Sequence, residues 1–319
     1  MRRWVWVCVG WLGLGVSGYT GTLRAPESLA NAETVTDYAI VLQSCRKEGI
    51  VNVAIRTMKL RGEPALLLVD PATLASSVED AAGWSCEEAT DAALAGTRFL
   101  RAVARAAEPP ELTHRGFLSN AGLRHGASGG GYFTGDLCPS RKPLEREFIS
   151  SLEGARTPVA LSISGLWLKH HFEDYRWLIQ EAARGALAIT WVNHTYNHTY
   201  RKGVAADENF MLSPDVDVDA DYEIEETEKL LIANGGTPSV FFRFPGLVSS
   251  SALMQAVAAH HLISLGADAW LALAQTPHDG SIILVHPNGN EPKGLTLYSR
   301  AAAEGRLPVP LKPLTEAPL

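Results

Sequence analysis

His194 and His198 stand four residues apart in "WVNHTYNHTY", each followed by a threonine. Alone, the pair is better read as two polar residues closing a strand, since a four-residue histidine spacing is common by chance. With a carboxylate nearby it becomes the two-imidazole, one-acid set that holds catalytic zinc or another divalent ion with positions open for water. Imidazoles at this spacing reach one cation where the backbone turns helically. Further polar residues follow apolar runs in the same way: Asp136 after "GYFTG", Arg243 in "FFRFPG", Asp268 after "LISLGA" and His286 after "IILV". Asp136 would be a base or a ligand, with Arg243 orienting it and lowering its pKa. His286 is placed to act as an acid, and Asp268 to hold its ring in one tautomer. The structural alternatives are an ion pair of Arg243 and Asp268 across strand ends, and a turn histidine capping a strand at His286.

The elements that must position these residues show in the pattern after Gly131. Apolar runs such as "PVALSIS", "ALAITWV", "SVFFRF", "HLISLG" and "SIILVH" alternate with helical stretches such as "FEDYRWLIQEAARG" and "DYEIEETEKLLIANGG", the latter ending at a glycine cap. Repeated strand–helix units imply parallel strands, closed into a barrel or open as a doubly wound sheet, and in both the function sits at the carboxyl ends of the strands. From 33 to 125 the chain is alanine-rich and leans to helix. One strand is predicted at "PALLLVD" (Pro64–Asp70), and an amphipathic helix runs up to Pro109. This part reads as a small, mostly helical accessory region. The glycine-rich "HGASGGGYF" precedes a strand rather than joining a strand to a helix, so it reads as a linker and not a phosphate loop.

With 319 residues, 46% of them hydrophobic, the chain is long enough for one large domain with a smaller companion. A formal charge of −7 and the lack of a dense Lys/Arg block argue against nucleic acid or an anionic membrane as the partner. The start, "MRRWVWVCVGWLGLGVSG", has the basic, apolar and small-residue layout of a secretory signal over 1–18, with cleavage as late as 32 the alternative. Its apolar run is short for a membrane span, so a periplasmic or secreted protein without a transmembrane segment is expected once the signal is removed. Cys45, Cys86 and Cys138 then remain; a Cys45–Cys86 bridge with Cys138 free fits an oxidising compartment, and free buried thiols are the alternative.

Between Gly131 and Gly294 the chain resembles the polysaccharide deacetylases of carbohydrate esterase family four. Five motifs of that family occur here in its order: "TGDLCP" (Thr134–Pro139) for its opening motif, "HTYNH" (His194–His198), "RFPG" (Arg243–Gly246), "DAW" (Asp268–Trp270) and "LVH" (Leu284–His286). The resemblance implies an α/β fold, a distorted (β/α) barrel over 126–319. It implies hydrolytic removal of an N-acetyl or O-acetyl group from an acetylated polysaccharide or oligosaccharide. It makes Asp136 the general base, His194 and His198 ligands of a divalent metal, zinc foremost, and Arg243 the residue that orients the base. His286 becomes the general acid tuned by Asp268, and Trp270 and Leu284 line the acetyl pocket beside Pro245. One departure from the pattern matters: Leu137 stands where the family has its third metal ligand, an aspartate, so the metal is expected to bind weakly. Asp136, Cys138 or the acidic run holding Asp215, Asp217, Asp219 and Asp221 are the candidates to fill the gap, and an aspartate at 137 would restore it. The alternative function is a metal-poor, non-catalytic glycan-binding relative.

Overall fold

The computed structural model describes residues 27–154, 156–214 and 218–318, so the segment read as a signal lies outside the described residues. Where a mostly helical region was expected, the chain instead builds an antiparallel sheet. Its strands are β1 (Val35–Lys47), β2 (Ile50–Leu60), β3 (Glu63–Val69), β4 (Ser76–Asp80) and β5 (Ser85–Glu88), in the order β4-β3-β2-β1-β5. The strand predicted at "PALLLVD" is β3. The reason for the correction lies in two tight turns. Glu48–Gly49 and Arg61–Gly62 each take positive φ at both positions, the mirror-image turn that matches the twist of a hairpin and is compatible with a glycine in second place. The only α-helices here are α1 (Asp91–Leu94) and α2 (Arg98–Ala107), and α2 is opened by Thr97, whose side chain accepts from the Leu100 N–H. Cys45 and Cys86 face each other across β1 and β5 and form a disulfide.

After the short β6 (Leu118–Ser119) comes the expected distorted barrel. The strands β7 (Tyr132–Leu137), β8 (Thr157–Ile163), β9 (Leu187–Asn193) and β10 (Pro238–Phe242) alternate with α3 (Arg146–Ser151), α4 (Gly165–His170), α5 (Phe172–Ala183) and α6 (Ala220–Ala233). Then follow β11 (Val248–Ser249), which pairs with β6, and α7 (Ser251–Ala259), β12 (Ile263–Ser264), β13 (Ala269–Trp270), β14 (Ile282–Val285) and α8 (Pro292–Ala303). Seven strands pair in parallel in the order β12-β10-β9-β8-β7-β14-β13, a sheet curled into a half-barrel. Helices cover the outside, so strands such as "PSVFF" and "IILV" are buried at every position, as parallel strands covered on both faces must be.

The two sheets share a core. Val35, Leu67 and Phe99 belong to the same apolar cluster as Tyr132, Val240 and Phe241. A buried polar tie joins them as well: Arg56 on β2 meets Glu228 on α6 at 2.9 Å, and the Tyr38 hydroxyl donates to the same carboxylate at 2.5 Å. Two charges out of water are sustained only with such saturated pairing, and Arg56 also donates to the carbonyls of Ile55 and His260.

Candidate metal centre and acid–base site

Parallel strands deliver their carboxyl ends to one rim, and five of the expected residues gather there. Asp136 is the penultimate residue of β7, His194 follows β9, Arg243 follows β10 and His286 follows β14. Together with Cys138 and His198 they border a cleft of about 720 Å3, except Arg243, which lies beneath its floor. Another cavity, of about 420 Å3, opens among Leu74, Ile179, Trp191 and Ser239 and is lined by no titratable side chain, so the chemistry belongs to the first.

Asp136 forms the floor, with Arg243 beneath it. The guanidinium donates to Asp136 Oδ1 at 2.7 Å, to Thr134 Oγ1 at 2.9 Å and to the Gly266 carbonyl at 3.0 Å, with both partners of the ion pair buried. Burial alone would push the carboxyl up. The Arg243 charge, seconded by His194 and His286, outweighs it and holds Asp136 down to about 2. The carboxylate is therefore ionised across the neutral range, with Oδ1 committed to arginine and Oδ2 turned to His194 Nε2 at 3.6 Å.

The two imidazoles are brought together without a helical turn. Thr195 and His198 both take left-handed backbone, φ 67° and 46°, which is uncommon for a β-branched residue and marks a constrained loop. The loop is pinned from three sides. Thr195 N–H donates to Asn193 Oδ1, His198 N–H donates to Thr195 Oγ1, and Asn197 donates twice to Glu223 on α6. The rings end 4.7 Å apart. His194 Nδ1 donates to the Arg243 carbonyl at 2.8 Å, which leaves the lone pair of Nε2 facing the cleft. Neither ring nitrogen of His198 has a hydrogen-bond partner, although both are buried.

The third donor is Cys138. Its sulfur lies 3.5 Å from His194 Nε2, and Cys138, His194 and His198 each offer a ligand atom within 4.8 Å of the others. Burial raises the thiol's pKa, but the imidazoles of His198, His194 and His286 outweigh that and hold it well below its ordinary range. A readily ionised thiolate, an imidazole with its lone pair exposed and a second imidazole with no other partner fit a borderline divalent ion such as zinc, and an unpartnered buried polar group otherwise costs about 1–3 kcal/mol. Leu137 is not part of this wall: its side chain is wholly buried in the apolar cluster with Phe133, Ile163 and Trp167. Strand alternation explains this, since the neighbours of 137 on either side face the cleft while 137 faces the helices. The acidic run contributes no ligand among the described residues: Asp219 caps α6 by accepting from Tyr222 N–H, and Asp221 points to His260. Asp215 and Asp217 lie outside the described residues.

His286 forms the opposite wall, but its partner is not Asp268. Its Nδ1 lies 2.8 Å from Glu291 Oε2, off the line of an ideal hydrogen bond, and Trp270 Nε1 donates to the same oxygen at 2.8 Å. Burial would lower the imidazole's pKa; Cys138 and Glu291 outweigh it and hold His286 well above its ordinary value. Glu291 is in turn lowered by His286 and Trp270 against its own burial. Asp268 fails as the tuning acid because it precedes β13, whose Ala269 pairs with Ile283, placing it at the amino end of the sheet while His286 follows the carboxyl end of β14. Trp270 and Leu284 line the cleft as expected. Pro245 is buried and does not; Gly246 and Leu247 take its place in the wall.

No protein-family model matches the chain. Solved structures similar to it are family 4 carbohydrate esterases. One, from Bacillus anthracis, matches at 16% identity over 62% of this chain and 87% of its own, with a TM-score of 0.43. Another, from Streptomyces lividans in complex with acetate, matches at 19% identity over 60% of this chain and 98% of its own, with a TM-score of 0.39. A pseudoenzyme of the same family from Bacillus anthracis matches at 15% identity over 60% of this chain and 67% of its own, with a TM-score of 0.39.

Glu291 is the site residue that sequence reasoning missed. Its signal was a carboxylate five residues beyond the histidine, immediately before the proline that starts α8. Nothing in that spacing distinguishes a tuning acid from a residue flanking a helix start.

Proposed function

We propose that the chain is an exported hydrolase that removes N-acetyl or O-acetyl groups from a glycan, with a divalent metal, zinc foremost, held by Cys138, His194 and His198. The observation that carries the reading is the placement of a charged base and a charged acid on opposite sides of one soft-donor trio in one cleft. Asp136 and Arg243 form one side, His286 and Glu291 the other. A binding groove has no use for that polarity.

What a divalent cation supplies at the trio is Lewis-acid polarisation of the acyl carbonyl. Asp136 accepts a hydrogen bond from the attacking water through Oδ2, with Arg243 fixing the carboxylate's plane. A carboxyl held at about 2 is a weaker base than neutral-pH chemistry favours, so its contribution leans on orientation, and it passes the proton on readily. His286 carries a proton toward the leaving nitrogen or oxygen, and Glu291 with Trp270 stabilises that charged form. Leu284 and Trp270 offer the apolar wall an acetyl methyl needs, and the open cleft admits an extended sugar chain. Export is supported by the layout of residues 1–18 and by the Cys45–Cys86 disulfide, which belongs to oxidising compartments. Among the described residues no helix is long and apolar enough to cross a membrane.

The test is acetate release from acetylated amino-sugar oligomers by the purified mature chain. Turnover should depend on added zinc and fall about 10²–10⁴-fold in His286→Ala, and Cys138→Ser should weaken zinc binding. Glycan binding without acetate release, indifferent to chelation, would establish the non-catalytic alternative instead.

A further inference from the structure

Displaced from the catalytic cleft, Asp268 gathers a second set of donors at the amino end of the sheet. His125 Nδ1 is hydrogen-bonded to Asp268 Oδ2 at 2.7 Å through a proton that a bound cation would replace, His278 Nε2 lies 3.5 Å from the same oxygen, and one ligand atom of each falls within 4.8 Å of the others. We infer that His125, Asp268 and His278 form a second divalent-metal site, for zinc or a similar borderline cation, separate from the cleft and independent of the function proposed above.

The hydrogen bonds around the cluster leave a place for positive charge. Asp268 Oδ1 is fixed by the Ile282 N–H at 2.9 Å. Ser281 Oγ accepts from the His278 backbone N–H at 2.9 Å, and it also lies 3.3 Å from Asp268 Oδ2 and 3.2 Å from His278 Nδ1. A hydroxyl has one proton and two lone pairs. All three contacts are satisfied together if Ser281 donates to Asp268 and accepts from His278 Nδ1–H. That places a proton on Nδ1, and in the neutral ring the Nε2 lone pair then faces the carboxylate oxygen. Two electron-rich atoms 3.5 Å apart are stabilised by a cation shared between them, and with His125 they supply two imidazoles and a carboxylate, a donor set suited to zinc with a position open to water. The serine acts as the outer partner that orients a ligand. Gly280 admits the His125 ring, since a Cβ there would lie 2.5 Å from its Nε2. The cation would tie together three loops: the one before β7, the β12–β13 link and the one before β14.

Zinc titration of the full mature chain by calorimetry tests this, in a Cys138→Ser, His194→Ala, His198→Ala background that removes the three cleft donors. The background protein should bind one equivalent, show a zinc-dependent rise in its unfolding midpoint, and give an X-ray absorption signature of nitrogen and oxygen ligands without sulfur. Adding His278→Ala or His125→Ala should abolish both the uptake and the shift, and Ser281→Ala should weaken binding about 10- to 100-fold. His125 and His278 are exposed, so the single substitutions should leave the fold intact without zinc. A background protein that takes up no zinc, or uptake that survives His278→Ala, would overturn the inference; failure of the acetate-release assay would not touch it.

Discussion

Leu137→Asp separates the resemblance from the geometry. If residue 137 occupied the ligand position that its place in "TGDLCP" suggests, an aspartate there would tighten zinc binding. In the structure the leucine is wholly buried among Phe133, Ile163 and Trp167, on the helix side of β7. The substitution forfeits the leucine's burial, about 2 kcal/mol. A carboxyl confined to that apolar setting has its pKa raised by about 3 units, which costs about 4 kcal/mol at neutral pH. The total of about 6 kcal/mol is comparable with the whole stability of an ordinary domain. The charge part carries a pH signature. Below the unfolded value of about 3.9 both states hold the proton and that part vanishes; it grows as pH rises toward the raised folded value. Urea unfolding of wild type and variant at pH 4 and pH 7 should therefore show a deficit that widens by several kcal/mol between the two. A variant of wild-type stability at pH 7 that binds zinc more tightly would refute the reasoning and put 137 in the cleft.

Asp136 behaves in the opposite sense. Its drop from an ordinary 3.8 to about 2 contributes about 2 kcal/mol, present above the unfolded value and lost as pH falls through the folded one, so the acid limb of stability between about pH 4 and 2 should flatten in Asp136→Asn; equal slopes for the two proteins in chelator would contradict it. Glu291→Gln should lower acetate release about 10- to 100-fold with KM little changed, and should move the alkaline limb of the rate profile to lower pH, because His286 loses a group that keeps it protonated; an unmoved limb assigns Glu291 no tuning role. Replacing Cys45 and Cys86 by serine frees a loop of sequence separation 41, and should cost up to about 4 kcal/mol in denaturant titrations, with zinc affinity unchanged.

The barrel was legible because its strands are continuous apolar runs between helical stretches, and Asp136, His194, Arg243 and His286 were legible because each sits where such a run ends. The N-terminal sheet was not. Its turns, Glu48–Gly49 and Arg61–Gly62, carry the needed glycine but not the asparagine or aspartate that announces a hairpin, and alanine-rich windows such as "DAALAG" outweighed them. Side-chain partners were the other loss. Whether an acid beside β13 serves His286 depends on which end of the strand it occupies, and "GADAW" does not reveal that Asp268 precedes the strand. Glu291 won the role through the fold of a loop, which no periodicity encodes.

The cysteines complete the case for a thiolate ligand. An environment that bridges Cys45 to Cys86 is also one that oxidises exposed low-pKa thiols. Cys138 escapes bridging because the other two described cysteines are joined to each other, and it is buried, which slows attack by oxidants. Its lowered pKa comes from the very imidazoles that lie within ligand distance of it, so the feature that makes the sulfur reactive also makes it a strong donor to a shared cation. Coordination to a cation would engage the sulfur lone pairs and withdraw them from oxidation. A buried cysteine with a lowered pKa beside two histidines is thus better suited to holding a borderline metal than to packing, and it stands one residue after Leu137, on the side of the strand that faces the cleft.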